Sequence, residues 1–98
     1  MSRILVTDDD LSIRMGIREF AEFQGCQVEL ASCGEEALQL CREQDFDLII
    51  LDIMMPGMDG YETYREIKKI KDIPALMLSA KNQEYDKLQG FELGIDDY

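Results

Sequence analysis

Four consecutive aliphatic residues that run straight into a carboxylate, Leu48-Ile49-Ile50-Leu51-Asp52, constrain this chain more than any other stretch. The run is too short for a helix and has no polar alternation, so it predicts a strand buried on both faces, as in a parallel sheet. Asp52 then stands at the strand's carboxyl end, where open α/β sheets bind ligands. Pro56-Gly57 and Asp59-Gly60 follow as turn signals, so Asp52 opens a loop that bends before a helix near Tyr61.

The same grammar repeats along the chain. Ile4 to Thr7 predicts a first strand that stops at Asp8-Asp9-Asp10. From Leu11, Ile13, Ile17, Phe20 and Ala21 have amphipathic helical spacing, with Asp10 or Ser12 as the cap and Gly25 as the stop. Cys26 to Ala31 alternates as an outer strand should. Ser32-Cys33-Gly34-Glu35 has capping-box form ahead of a helix with Ala37, Leu38 and Cys41 inward, ending near Gln44.

Past Asp52, Tyr61, Tyr64, Ile67 and Ile70 mark another helix face, and Pro74 bars its continuation. Ala75 to Leu78 predicts a fourth buried strand ending in Ser79. Glu84 to Glu92 predicts a last helix, with Tyr85, Leu88 and Phe91 inward and Gly94 closing it. Strand and helix alternate throughout, which gives one α/β domain over residues 1–98, a parallel sheet with helices on both faces joined by right-handed crossovers.

Composition excludes several functions. A net charge of −11 argues against direct nucleic-acid binding, which needs an excess of Lys and Arg. The N-terminal apolar run is too short for a signal peptide or a span, so a cytoplasmic chain is expected. Cys26, Cys33 and Cys41 are odd in number, with no Cys-x-x-Cys and no His in the chain. They read as buried or half-buried thiols rather than a disulfide framework or a zinc site.

Three strand ends carry polar residues: Asp8 and Asp9, Asp52, and Ser79. If the first and third strands are neighbours, their ends lie about 4.8 Å apart and three carboxylates share one pocket. Helix capping and the helix dipole account for one carboxylate of the Asp8-Asp9-Asp10 run. Two carboxylates about 5 Å apart repel by about 3 kcal/mol at an effective dielectric constant of about 20. At least one of the three is therefore expected to titrate high without a cation. A hard divalent cation such as Mg²⁺, which takes oxygen ligands, removes that cost. The same setting suits attack by Asp52 on phosphorus, giving an aspartyl phosphate.

Taken in order, Val-Thr-Asp-Asp-Asp, Leu-Asp-Ile-Met-Met-Pro-Gly-Met-Asp-Gly, Leu-Ser-Ala-Lys and Gly-Ile-Asp-Asp-Tyr resemble the receiver domain of two-component response regulators over the whole chain. The resemblance implies a flavodoxin-like doubly wound sheet in the order 2-1-3-4-5. It implies Asp52 as phosphoacceptor, with Mg²⁺ held by Asp9 directly, by Asp8 through water, by Asp52, and by the backbone carbonyl of Met54. Ser79 would bind a phosphoryl oxygen and Tyr98 would be the switch aromatic. It also implies a phosphorylation-dependent switch, not a turnover enzyme, which a sensor histidine kinase loads and which forms homodimers through the fourth-helix face.

The last two motifs look most like OmpR/PhoB-type regulators, in which a DNA-binding domain follows. The chain departs from the family in Thr7, where an aliphatic is usual, and in stopping at Tyr98. The family's phosphate-binding Lys would come three residues later, so that Lys and most of the fifth strand and helix are expected to be missing here. The rival reading is a haloacid-dehalogenase-type phosphatase with Asp8 as nucleophile and Asp10 as acid. That reading leaves Asp52 and its loop unexplained. A third is a receiver fold kept only as a protein-binding scaffold.

Overall fold

The computed structural model describes residues 2–78 together with Phe91 and Glu92. Strands β1 (Arg3–Thr7), β2 (Gln27–Ala31), β3 (Leu48–Asp52) and β4 (Ala75–Leu78) alternate with helices α1 (Leu11–Phe23), α2 (Gly34–Glu43) and α3 (Gly60–Ile70). The four strands are parallel and lie in the order β2-β1-β3-β4. That is the doubly wound order, and it makes β2 an edge strand as its polar alternation predicts.

Period-two alternation sends each strand's side chains to opposite layers. Leu5, Ile49, Leu51, Ala75 and Met77 join Ala37, Leu38, Cys41, Tyr64 and Ile67 in a core under α2 and α3. Ile4, Val6, Ile50 and Leu78 meet Ile13, Ile17 and Ala21 of α1 on the other face. Both central strands are therefore buried on both sides, which is why they read as unbroken aliphatic runs. Gly25 has φ +92° just past α1, the left-handed stop its position predicts.

Four expectations are corrected. Phe20 is 68 % exposed, and Ile70, on the last residue of α3, is exposed as well. Phe20 lies beside the buried stripe of Ile13, Ile17 and Ala21 rather than on it, Ile70 ends its helix, and Thr63 joins the buried face of α3. The Ser32–Glu35 capping box does not form. Cys33 is the N-cap of α2, and Ser32 gives its N–H and hydroxyl to Glu36 Oε1 at 2.6 and 2.8 Å. The helix starts one residue later than expected, which moves the partner by one as well.

The last correction concerns the end of the predicted Glu84–Glu92 helix. Phe91–Glu92 forms a short strand, β5, antiparallel to β4 in the register Met77↔Glu92 and Leu78↔Phe91. The open edge of β4 offers backbone donors and acceptors, and pairing with it outweighs the local helical spacing. The other residues of that expected helix, Ser79 and Tyr98 lie outside the described residues. Among the described residues no helix is long and apolar enough to cross a membrane.

Candidate metal and phosphoryl site

The register of β1 on β3 builds the site. Thr7 lies beside Leu51, so the next residue on each strand, Asp8 and Asp52, emerges at the same carboxyl edge. Both have no exposed surface, whereas Asp9 is exposed. One carboxylate oxygen from each of the three lies within 4.8 Å of the others. The grouping expected from strand adjacency is thus present, with two buried members and one at the rim.

Backbone groups fix the two buried acids. Asp8 donates its N–H to the Ala31 carbonyl at 3.2 Å, and its Oδ1 accepts from the Asp10 N–H at 2.9 Å. The Asp8 carbonyl accepts from Arg14 Nη1 at 2.7 Å. Asp52 Oδ1 accepts from the Met54 N–H at 3.3 Å, so the chain turns back over the carboxylate directly after β3. Asp10 is spent differently, since its Oδ1 caps α1 by accepting from Ser12 and Ile13 N–H groups at 2.9 and 3.3 Å. A rival role for Asp10 as a catalytic acid would require it to leave that cap.

The loop after Asp52 is held from several sides. Met55 is buried in the core while Met54 stands 65 % exposed, and Gly57 turns with φ +75°. Gly60 donates its N–H to the Ile53 carbonyl at 3.0 Å. A Cβ on Gly60 would come within 2.5 Å of the Asp52 carbonyl oxygen and 2.9 Å of Ile53 Cα. Asp59-Gly60, read from sequence as a turn, is therefore a helix start pressed against the β3 terminus. Asp59 is the N-cap, in a reciprocal capping box with Glu62.

Sequence reasoning missed Arg14, Glu36 and the packing role of Gly60. Arg14 does lie six residues after Asp8, near the start of the helix that follows the acidic run. Its charge helps hold the Glu36 carboxyl below the usual range, after the larger effects of the Ser32 N–H and hydroxyl. Burial pushes the Cys41 thiol up, while Cys26 and Cys33 are half-buried and free, as expected. A groove of about 430 Å³ between α2 and α3, lined by Leu38, Gly57, Met58, Glu62, Arg65 and Glu66, does not include Asp8, Asp9 or Asp52. The polar cluster lies apart from it, at the carboxyl edge of the sheet.

Three hard oxygen donors on rigid backbone, two of them desolvated, suit a divalent cation of the Mg²⁺ class, which takes oxygen ligands and keeps several waters. Among the described residues no soft or imidazole donor takes part.

Comparison with known proteins agrees with this geometry. The sequence profile of the response regulator receiver domain matches residues 4–98. The transcriptional regulatory protein ResD of Bacillus subtilis is 44 % identical over 97 residues, covering 99 % of this chain and 40 % of its own length. AfsQ1 of Streptomyces coelicolor is 42 % identical over 98 residues, covering 100 % of this chain and 44 % of its own. The chain thus spans about two fifths of the length of these curated relatives. Among solved structures, the response regulator TrrA of Thermotoga maritima, in complex with Mg²⁺ and BeF, superposes with a TM-score of 0.78. It is 43 % identical, over 84 % of this chain and 72 % of that one. The chemotaxis protein CheY4 of Vibrio cholerae also has a TM-score of 0.78, at 34 % identity over 92 % of this chain and 78 % of that one.

Proposed function

The chain belongs to the response regulator receiver family, and from that premise we propose that it is a phosphorylation-dependent switch with Asp52 as its phosphoacceptor. The observation that carries the assignment is the convergence of Asp8, Asp9 and Asp52 at the shared edge of β1 and β3. Residues 1–98 act as one receiver unit.

Asp9 and Asp52 would hold Mg²⁺ directly, Asp8 through water, and Met54 by its backbone carbonyl. When bound, the cation supplies positive charge against the phosphoryl oxygens. Everything else is the work of the chain. An Asp52 carboxylate oxygen attacks phosphorus, the O–P bond forms, and the donor's bond to phosphorus breaks as the donor leaves. The Met54 N–H at 3.3 Å from Oδ1 orients the Asp52 carboxylate.

Residues 1–98 contain no His, so a phosphohistidine donor lies outside them, on a sensor histidine kinase by the family's logic. The added phosphoryl group brings charge and new acceptor oxygens, toward which Ser79 would be drawn and Tyr98 would turn. Those two roles and homodimers through the fourth-helix face follow from the resemblance. A DNA-binding output carried by a separate domain is supported also by relatives named as transcriptional regulatory proteins, and a cytoplasmic location belongs to the same reading. The protein assists its own phosphotransfer and dephosphorylation rather than turning over a substrate. Intact mass after incubation with Mg²⁺ and acetyl phosphate tests the assignment. One phosphoryl group is expected on the wild type and none on Asp52→Asn. Labelling that persists in Asp52→Asn but vanishes in Asp8→Asn would transfer the nucleophile's role to Asp8 and favour the phosphatase reading.

A further inference from the structure

The peptide that joins Asp8 to Asp9 leaves β1 just where the strand ladders stop. The β1–β2 and β1–β3 pairings both end at Thr7. Beyond that point the peptide groups need partners outside the sheet. Asp8 finds one for its N–H in the Ala31 carbonyl, and one for its carbonyl in the half-buried guanidinium of Arg14, at 2.7 Å. Arg14 is itself fixed by the first hydrogen bond of α1, from its N–H to the Asp10 carbonyl at 3.0 Å. It also attracts Glu36, the residue that pins Ser32 at the end of β2.

We infer that Arg14 is a positioning residue for the cation site, acting through the Asp8 carbonyl rather than on the cation or the phosphoryl group. The rotation of the Asp8–Asp9 peptide plane sets the directions in which both side chains leave the backbone. Asp8 points into the buried edge and Asp9 to the rim. Their oxygens must still meet Asp52 within 4.8 Å. Arg14 fixes that plane through the Asp8 carbonyl, while the Asp8 N–H on the Ala31 carbonyl fixes the preceding Thr7–Asp8 peptide.

The inference rests on the reading of these carboxylates as a metal-holding group, and the sign of one effect separates it from plain electrostatics. Arg14 is a cation beside a proposed cation site. If only its charge mattered, removing it would tighten Mg²⁺ binding, because two positive charges repel. If it positions the peptide, removing it weakens binding despite the relieved repulsion. Partners that orient metal ligands commonly change affinity by about 10–100-fold.

Isothermal titration of MgCl₂ into the metal-free chain decides between the two, with wild type, Arg14→Met and Arg14→Lys side by side. Arg14→Met keeps aliphatic bulk and loses both charge and donor, and it is expected to bind Mg²⁺ about tenfold more weakly. Arg14→Lys restores a donor within reach of the Asp8 carbonyl and is expected to lie closer to wild type than to Arg14→Met. Thermal midpoints in chelator check that each variant is folded, and Arg14→Lys carries the comparison if Arg14→Met is not. Equal or tighter binding by Arg14→Met overturns the inference, as does an Arg14→Lys variant no better than Arg14→Met. A wild type that binds no Mg²⁺ overturns the metal reading itself, and this inference with it.

Discussion

The two ends of the sheet use acidic residues in opposite ways. At the amino end, Arg3 gives its N–H to Asp47 Oδ2 at 2.8 Å, pairs its guanidinium with the Gln44 side chain, and lies over the Phe46 ring. Lys71 there reaches the Gln44 carbonyl at 3.0 Å and Asp45 Oδ1 at 2.7 Å. Asp45 is 93 % exposed, so its charge stays in water and meets an opposite one. These contacts tie the turns before β3 and β4 together at little electrostatic cost.

At the carboxyl end, Asp8 and Asp52 are wholly buried and their oxygens approach each other and Asp9. Like charges gathered in a desolvated corner oppose folding. A bound divalent cation would offset that cost by mass action. The contrast separates acidic residues that stay in water beside an opposite charge from a cluster in which two of three carboxylates are buried together.

The largest expected effect tests that contrast directly. In chelator, Asp52→Asn should be more stable than wild type by about 1–3 kcal/mol, because one of three mutually repelling charges is gone. Urea denaturation measures it. Added Mg²⁺ should reverse the order, stabilising wild type by mass action and the variant much less. An Asp52→Asn variant less stable than wild type without metal would break the comparison.

Backbone proximity should come next. Gly60→Ala drives a Cβ against the Asp52 carbonyl, and a cost of about 1–3 kcal/mol is expected, with or without Mg²⁺. Gly16→Ala is the control, since nothing lies within 4 Å of its Cβ position in α1. There about 0.5–1 kcal/mol of stabilisation is expected. Equal responses at the two glycines would mean that α3 does not clamp the loop.

The smallest effect belongs to the amino end and to acid pH. The hydrogen bond from Lys71, and then its charge, hold the Asp45 carboxyl below its ordinary value. A group whose folded pKa is depressed adds stability above its unfolded pKa, near 3.9 for Asp, and loses it as pH falls through the lower folded value. Lys71→Met should therefore trail wild type slightly near neutrality, and the gap should close in acid. Denaturation midpoints across that range would show it, and a gap that widens toward low pH would contradict the pairing.

Much of this was legible in the residues. Leu48 to Leu51 and Ala75 to Leu78 are strands at the expected positions, because a strand buried on both faces tolerates only apolar side chains. Asp10 as a cap and Gly25 as a stop followed from local backbone chemistry. Phe20, Ile70 and the displaced capping partner Glu36 show where local reading slips. A period fixes which residues share a helix face, whereas the sheet decides how far that face stays covered. Phe91–Glu92 slips for a stronger reason, since an open strand edge can recruit residues whose own spacing favours a helix.

By itself the sequence determined that carboxylates end two strands, since apolar runs terminate at Asp8 and Asp52 whatever the strands pair with. Only the tertiary structure decided that these acids meet. Asp8 and Asp52 are forty-four positions apart in the chain, and they become neighbours because β3 crosses over to pair with β1 in the register Thr7↔Leu51. The grip of Arg14 on the Asp8 carbonyl and the press of Gly60 on Asp52 span only six and eight positions, yet they too depend on how each helix packs back on the strand end before it. Periodicity and capping are short-range and are written in adjacent residues. Proximity between strand ends and helix starts depends on how whole elements pack, because each must bury its apolar face against the same sheet.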